Sequence, residues 1–157
     1  MFTLRFDMQA PAGGAPAREL YAAALEMAEW ADEHGAMMVL LSEHHATADG
    51  YLPSPVVMAS AMAARTARVP IWLMVAILPF YDPIRLAEDL CVLDVLSDGR
   101  VSLVAGLGYR REEYDVFGVD FSSRGQRPRR SSNCSCGPRP ASRSSTAGSR
   151  CRSPPRL

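Results

Sequence analysis

Four short apolar runs mark the first two thirds of the chain, and each is followed by a loop and then by apolar residues at helical spacing. The first run, residues 3–8, ends near Asp7 and Met8 and gives way to Ala10-Pro-Ala-Gly-Gly-Ala-Pro, a stretch of breakers and small residues. From Ala17 to His34, the recurrence of Leu20, Ala24, Met27 and Ala31 predicts a helix, with Gly35 placed to end it. The second run is 37–41. After the loop Asp49-Gly-Tyr-Leu-Pro, Ser54-Pro55 offers an N-cap and a first-turn proline for a helix reaching about Arg68. The third run, 71–78, closes at Pro79. Asp82-Pro83 repeats the cap-plus-proline signal for a helix that keeps Leu86, Leu90 and Leu93 on one face and ends at Ser97-Asp-Gly. The fourth run, 101–105, leads through Gly106-Leu-Gly-Tyr into a short charged helix at 111–117. Strands alternating with helices through short loops predict an α/β fold of parallel βαβ units with right-handed crossovers.

The second run singles itself out. Met37-Met-Val-Leu-Leu carries no polar alternation, as expected of a strand buried on both faces, and it runs straight into Ser42, Glu43, His44 and His45. In parallel sheets ligands gather at the carboxyl ends of the strands, so an acid and two imidazoles stand where chemistry is expected. A metal site is the first alternative for such a trio. Adjacent side chains on an extended segment point to opposite faces, however, so His44 and His45 are poorly placed to grip one ion, and no further His or Cys cluster follows before the tail.

Composition divides the chain in two. Its formal charge of zero conceals a balance of −7 in residues 1–127, which hold all 17 acidic residues and ten of the 17 arginines, against +7 in residues 128–157. Three of the four cysteines, Cys134, Cys136 and Cys151, lie in that second part, and Cys91 is expected to be an ordinary core thiol. Residues 131–157 are Ser, Arg, Pro and Cys without periodicity, which predicts a disordered basic tail with no stable packing. A nucleic-acid arm would have the charge but lacks the aromatics. The letters also admit another origin. There is no lysine anywhere, as in GC-rich genes, and if each codon's third base is read with the next two, Ser131-Ser-Asn-Cys-Ser-Cys-Gly-Pro permits Val-Glu-Leu-Leu-Leu-Arg-Ala, an amphipathic helix. Ser144-Ser-Thr-Ala-Gly likewise permits Glu-Tyr-Arg-Gly. The favoured reading is a reading frame lost around Pro128–Ser131. The start Met1-Phe-Thr-Leu-Arg-Phe has none of the succession of an export signal, and no apolar run would span a bilayer, so a soluble, cytoplasmic chain with no membrane partner is expected.

Ser42-Glu-His-His followed by Pro53-Ser-Pro resembles the bacterial luciferase-like family of flavin or deazaflavin oxidoreductases. Leu78-Pro-Phe-Tyr-Asp-Pro, Leu93-Asp-Val-Leu-Ser-Asp-Gly-Arg, Gly106-Leu-Gly-Tyr, Glu113-Tyr-Asp-Val-Phe-Gly-Val-Asp-Phe and Arg124-Gly-Gln-Arg extend the likeness in the same order. Each motif alone is weak; Gly106-x-Gly108 lacks the third glycine and the downstream acid of a dinucleotide fingerprint. The resemblance covers residues 1–127 and implies the N-terminal half of a TIM (β/α)8 barrel, with the tail outside it. The out-of-frame Glu-Tyr-Arg-Gly also looks like the family's continuation.

The resemblance implies a flavin-dependent monooxygenase or oxidoreductase acting on a small organic substrate, with FMN as cofactor or, alternatively, a deazaflavin coenzyme. His44 takes the position of the family's catalytic histidine, suited to proton transfer because imidazole exchanges protons near neutral pH. Glu43 would orient His44 or close a salt bridge across the barrel; His45 reads as structural or facing a lid. Met74 and Val75 fall where family members often carry a non-proline cis peptide against the flavin, with an ordinary trans strand as the plainer reading. Gly106 and Gly108 would admit close backbone approach to a ring, or simply form a tight turn, and Tyr109 would stack or line the pocket. Leu107 stands where luciferase itself has an arginine. The family holds the flavin phosphate largely with loops of later strands, so the chain as written is expected to be an inactive fragment. Its open edges and a face expected to be apolar would favour association, a homodimer included.

Overall fold

The computed structural model describes residues 1–125. Four parallel strands, β1 (Thr3–Phe6), β2 (Met38–Leu41), β3 (Ile71–Ile77) and β4 (Val101–Gly106), lie side by side in the order β1-β2-β3-β4. Helices α1 (Ala17–Glu33), α2 (Pro55–Arg65) and α3 (Pro83–Ser97) connect them, and α4 (Arg111–Phe117) follows β4. The expectation about residues 131–157 lies outside the described residues.

Strand alternation builds the core. Leu4 and Phe6 align with Val39 and Leu41, these with Ile71 and Leu73, and these with Val101 and Leu103. All eight belong to one apolar cluster that also takes in Ala24, Ala28 and Ala31 of α1, Met58, Ala59 and Met62 of α2, and Leu93 of α3. One sheet face is therefore covered by helices. Alanines at i, i+4 and i+7 let α1 approach the sheet closely. Ala28, not Met27, carries that face; Met27 is turned outward, 48% exposed.

The other face corrects two expectations. β2 is not buried on both sides, because Met38 and Leu40 are only partly covered. Nor is the uncovered face uniformly apolar. The register sets Arg5, Leu40, Trp72 and Ser102 in one lateral row, so charge and hydroxyl are interleaved with large apolar groups. Cys91 is exposed on α3 rather than buried.

Element ends follow their capping chemistry. Asp82 caps α3 by accepting from the N–H groups of Ile84 and Arg85, whereas Ser54 makes no side-chain cap bond. α1 is capped by His34, and Gly35, one residue beyond, takes φ +70°. β1 stops at Phe6 instead of Met8, which turns to φ +61°. α2 ends at Arg65 instead of Arg68 because the next amides are claimed elsewhere: Asp32 accepts from Ala67, Arg68 and Val69 N–H at 3.1, 2.7 and 2.5 Å. The carbonyls freed at that end are taken by Arg100, whose guanidinium donates to Ala63, Thr66 and Val69. Two ionic side chains thus fasten the α2–β3 corner. Among the described residues no helix is long and apolar enough to cross a membrane.

Burial pushes the Asp32 carboxyl up, but the amides of Val69, Ala67 and Arg68, with the Arg68 charge, outweigh it and hold it below the ordinary carboxylate value. A carboxyl lowered in the folded state stabilises above its unfolded pKa and loses that contribution as pH falls through the folded one. Asp32→Ala should cost roughly 3 kcal/mol near neutral pH, since three amides lose a charged acceptor. In denaturant titrations that difference from the parent should shrink as pH is lowered below ~4. A difference independent of pH would refute the assignment.

Candidate active site

β2 delivers its acid and imidazoles to the carboxyl-terminal rim of the sheet, as its sequence implies, but the pairing differs from the expected one. Glu43 is buried and does not orient His44. Its Oε1 lies 2.7 Å from Nε2 of His45, and its Oε2 accepts from the N–H of Ile77 at the end of β3. The neighbouring β3 strand, not one across a barrel, is what Glu43 reaches. Tyr81 sits against it: burial, and then the Glu43 charge, push that phenol far above its ordinary value. His45 is held edge-on between Phe80 and Phe117, with ring centroids 5.4 and 4.7 Å away, a structural setting.

His44 is oriented by Glu113, a residue no strand-end argument reaches. Nδ1 of His44 stands 2.8 Å from Glu113 Oε1, and the same oxygen accepts the backbone N–H of His45 at 3.1 Å. Glu113 is 1% exposed in the first turn of α4, with Arg110 3.7 Å from that oxygen and no hydrogen-bond partner for Oε2 among the described residues. The signal in the sequence was a glutamate in a short charged helix, 69 residues from its partner. The His44 backbone N–H donates to Leu52, and its ring packs edge-on against Tyr51 and Tyr109 at 4.7 and 5.7 Å. The Tyr109 hydroxyl is 3.5 Å from His44 Nε2, and Tyr109 is 75% exposed. Tyr51 in turn accepts from Arg5, whose Nε donates to Ser42 Oγ. Arg5 and Tyr51 are further members of this rim that motif reading passed over.

The Met74–Val75 peptide is cis and coincides with a break in register between β3 and β4. Met74 is 43% exposed. Both glycines of Gly106-Leu-Gly answer to β3 packing: a Cβ on Gly106 would collide with Val75 Cγ1, and one on Gly108, at φ +73°, would stand 2.8 Å from Ile77 Cγ2. His44 thus stands beside Tyr109, and Val75 beside Gly106, with Glu43 turned away from His44. Leu107 is partly exposed, and its carbonyl accepts the Tyr114 hydroxyl. Among the described residues no three His, Cys, Asp or Glu side chains come together to hold a metal. A cavity of about 750 Å3 lies on the helix side, between α2 and α3; Glu43 and His45 line it but His44 does not.

The order of strands and helices, with the helices covering one sheet face, is that of the opening units of a parallel α/β barrel. The pattern described as luciferase-like monooxygenase matches residues 2–129, and the chain belongs to that family. It is 30% identical to the oxygenase component of the flavin-dependent trigonelline monooxygenase of Acinetobacter baylyi, over 82% of this chain and 36% of that protein. Monooxygenase RslO1 from Streptomyces bottropensis superposes with a TM-score of 0.74 at 32% identity, covering 81% of this chain and 39% of the other. The oxygenating constituent of 3,6-diketocamphane monooxygenase from Pseudomonas putida, solved with FMN, gives a TM-score of 0.75 at 24% identity, over 83% and 36% of the two chains. The fold is thus the first part of a TIM barrel, and the chain spans about a third of the length of the curated relatives it matches.

Proposed function

We propose that these residues form the histidine-bearing part of a flavin-dependent monooxygenase that uses FMN to oxygenate a small organic substrate. The observation that carries the reading is His44. Its Nδ1 is anchored to a buried carboxylate, and its Nε2 stands at the carboxyl-terminal rim beside Tyr109. The residues fit one end of such a cofactor. Leu40, Trp72 and the exposed Met74 offer an apolar floor to a ring, and the Tyr109 hydroxyl and His44 Nε2 offer polar contacts at its edge. Reduced FMN, when bound, supplies oxygen activation. The chain's own part is to place the ring, exclude water on the apolar side, and hold or pass a proton at His44 Nε2. On their own, these opening units of the barrel do not turn over.

The test restores the shifted frame, supplies reduced FMN, 18O2 and a panel of small organic compounds, and follows the label by mass spectrometry. One 18O atom per product molecule is expected. Substrate oxidation without label, driven by a deazaflavin, would replace this reading with that of a dehydrogenase in which His44 takes the proton as hydride leaves.

A further inference from the structure

We infer that Glu113 is a positioning residue that fixes the tautomer of His44, with the proton on Nδ1 and the lone pair of Nε2 turned to the rim. A neutral imidazole has one N–H and one lone pair, and which nitrogen carries the proton is set by what the other faces. At Nδ1 the neighbour is Glu113 Oε1, 2.8 Å away. That oxygen already accepts the His45 N–H, so it behaves as an acceptor and not as a carboxylic O–H. A lone pair on Nδ1 would face a second lone pair across 2.8 Å, on a carboxylate only 1% exposed, where little water screens the repulsion. Nδ1 therefore donates. A neutral carbonyl would serve the His45 amide as well as Glu113 does. What a carboxylate adds is a strong preference for N–H over a lone pair at His44, and the molecule keeps it although Oε2 is buried without a partner among the described residues.

The adjacent histidine is set the other way. His45 presents Nε2 to Glu43 Oε1 at 2.7 Å, and Oε2 of that carboxylate accepts from Ile77, so His45 carries its proton on Nε2. Two consecutive histidines thus hold opposite tautomers, each chosen by a different buried glutamate. The assignment rests on the proposed role of His44 only for its purpose: an Nε2 lone pair is the form that takes a proton from a substrate or from the Tyr109 hydroxyl. The tautomer itself is read without cofactor or turnover, so its failure and that of the flavin reading are separate.

The experiment is 15N NMR of the full chain labelled on histidine, recorded near pH 8, above the usual titration of imidazole at ~6.5. His44→Gln identifies the His44 signals. The parent should show His44 protonated at Nδ1 and bare at Nε2, with His45 the reverse. Glu113→Leu should move the His44 Nε2 line from the unprotonated to the protonated range, as for a free imidazole, while the His45 lines stay as internal proof of folding. Should the His45 lines be lost as well, Glu113→Gln decides, because its amide oxygen still accepts and should keep the proton on Nδ1. His44 protonated at Nε2 in the parent, His44 unmoved in Glu113→Leu, or His44 reversed in a folded Glu113→Gln would each overturn the inference.

Discussion

Titration of the 157-residue polypeptide with FMN should show no saturation in the micromolar range, whereas the polypeptide continued in the shifted frame should bind. β1 and β4 are the edges of the described sheet, and each leaves one side of its backbone unpaired. The rim supplies groups for a ring but little for a phosphate. Arg110 is drawn to Glu113, and α4 is only seven residues long. Arg5 is tied to two neutral hydroxyls on the sheet face. Charged hydrogen bonds to a phosphate contribute roughly 1.5–3 kcal/mol each, and every 1.4 kcal/mol is a factor of ten in dissociation constant. Losing two or three such contacts should therefore weaken binding by several orders of magnitude. Flavin fluorescence reads the outcome directly. Micromolar binding by the shorter chain would mean that the partial barrel makes a working site, alone or as a dimer through its open edges, and the proposed inactivity would be withdrawn.

The fold was legible because its signals are local. The apolar runs at 71–78 and 101–105, the Asp82-Pro83 cap and the glycines at helix ends act within a few residues of one another, and those elements lie within a residue of where the pattern puts them. The misplaced ends have long-range causes. α2 stops early because Asp32, from the preceding helix, takes the amides that would have continued it. The site divides in the same way. His44 stands out from its position after β2, but the identity of its partner does not. Glu43 is next to it in sequence, yet backbone alternation turns that carboxylate toward His45 and Ile77. Glu113 comes from α4, and only the packing of α4 over the strand ends brings it to His44. Gly106 shows the same limit. Its lack of a side chain is a local fact, but the group that fills the space, Val75, belongs to another strand.

Exchanging the two histidines one at a time should separate rate from stability. In the frame-restored polypeptide, His44→Ala should lower turnover roughly 10²–10⁴-fold, the range that a positioned acid–base group supplies. The denaturation midpoint should fall less than for His45→Ala, because the His44 ring is partly exposed and Glu113 Oε1 keeps the His45 N–H when the imidazole is lost. His45→Ala should do the reverse. It removes a ring wedged between Phe80 and Phe117 and leaves the buried Glu43 without its imidazole partner. Leaving a buried carboxylate without the N–H it accepted from costs roughly 1.5–3 kcal/mol, and the aromatic packing lost beside it adds to that. Turnover per folded molecule should fall far less, since Nε2 of His45 is committed to Glu43 and faces away from the Tyr109 side of the rim. The paired measurement is kcat beside a urea melt for each variant. A His44→Ala enzyme within tenfold of the parent rate, or a His45→Ala enzyme that loses more rate than His44→Ala while staying folded, would move the proton-handling role from the first histidine to the second.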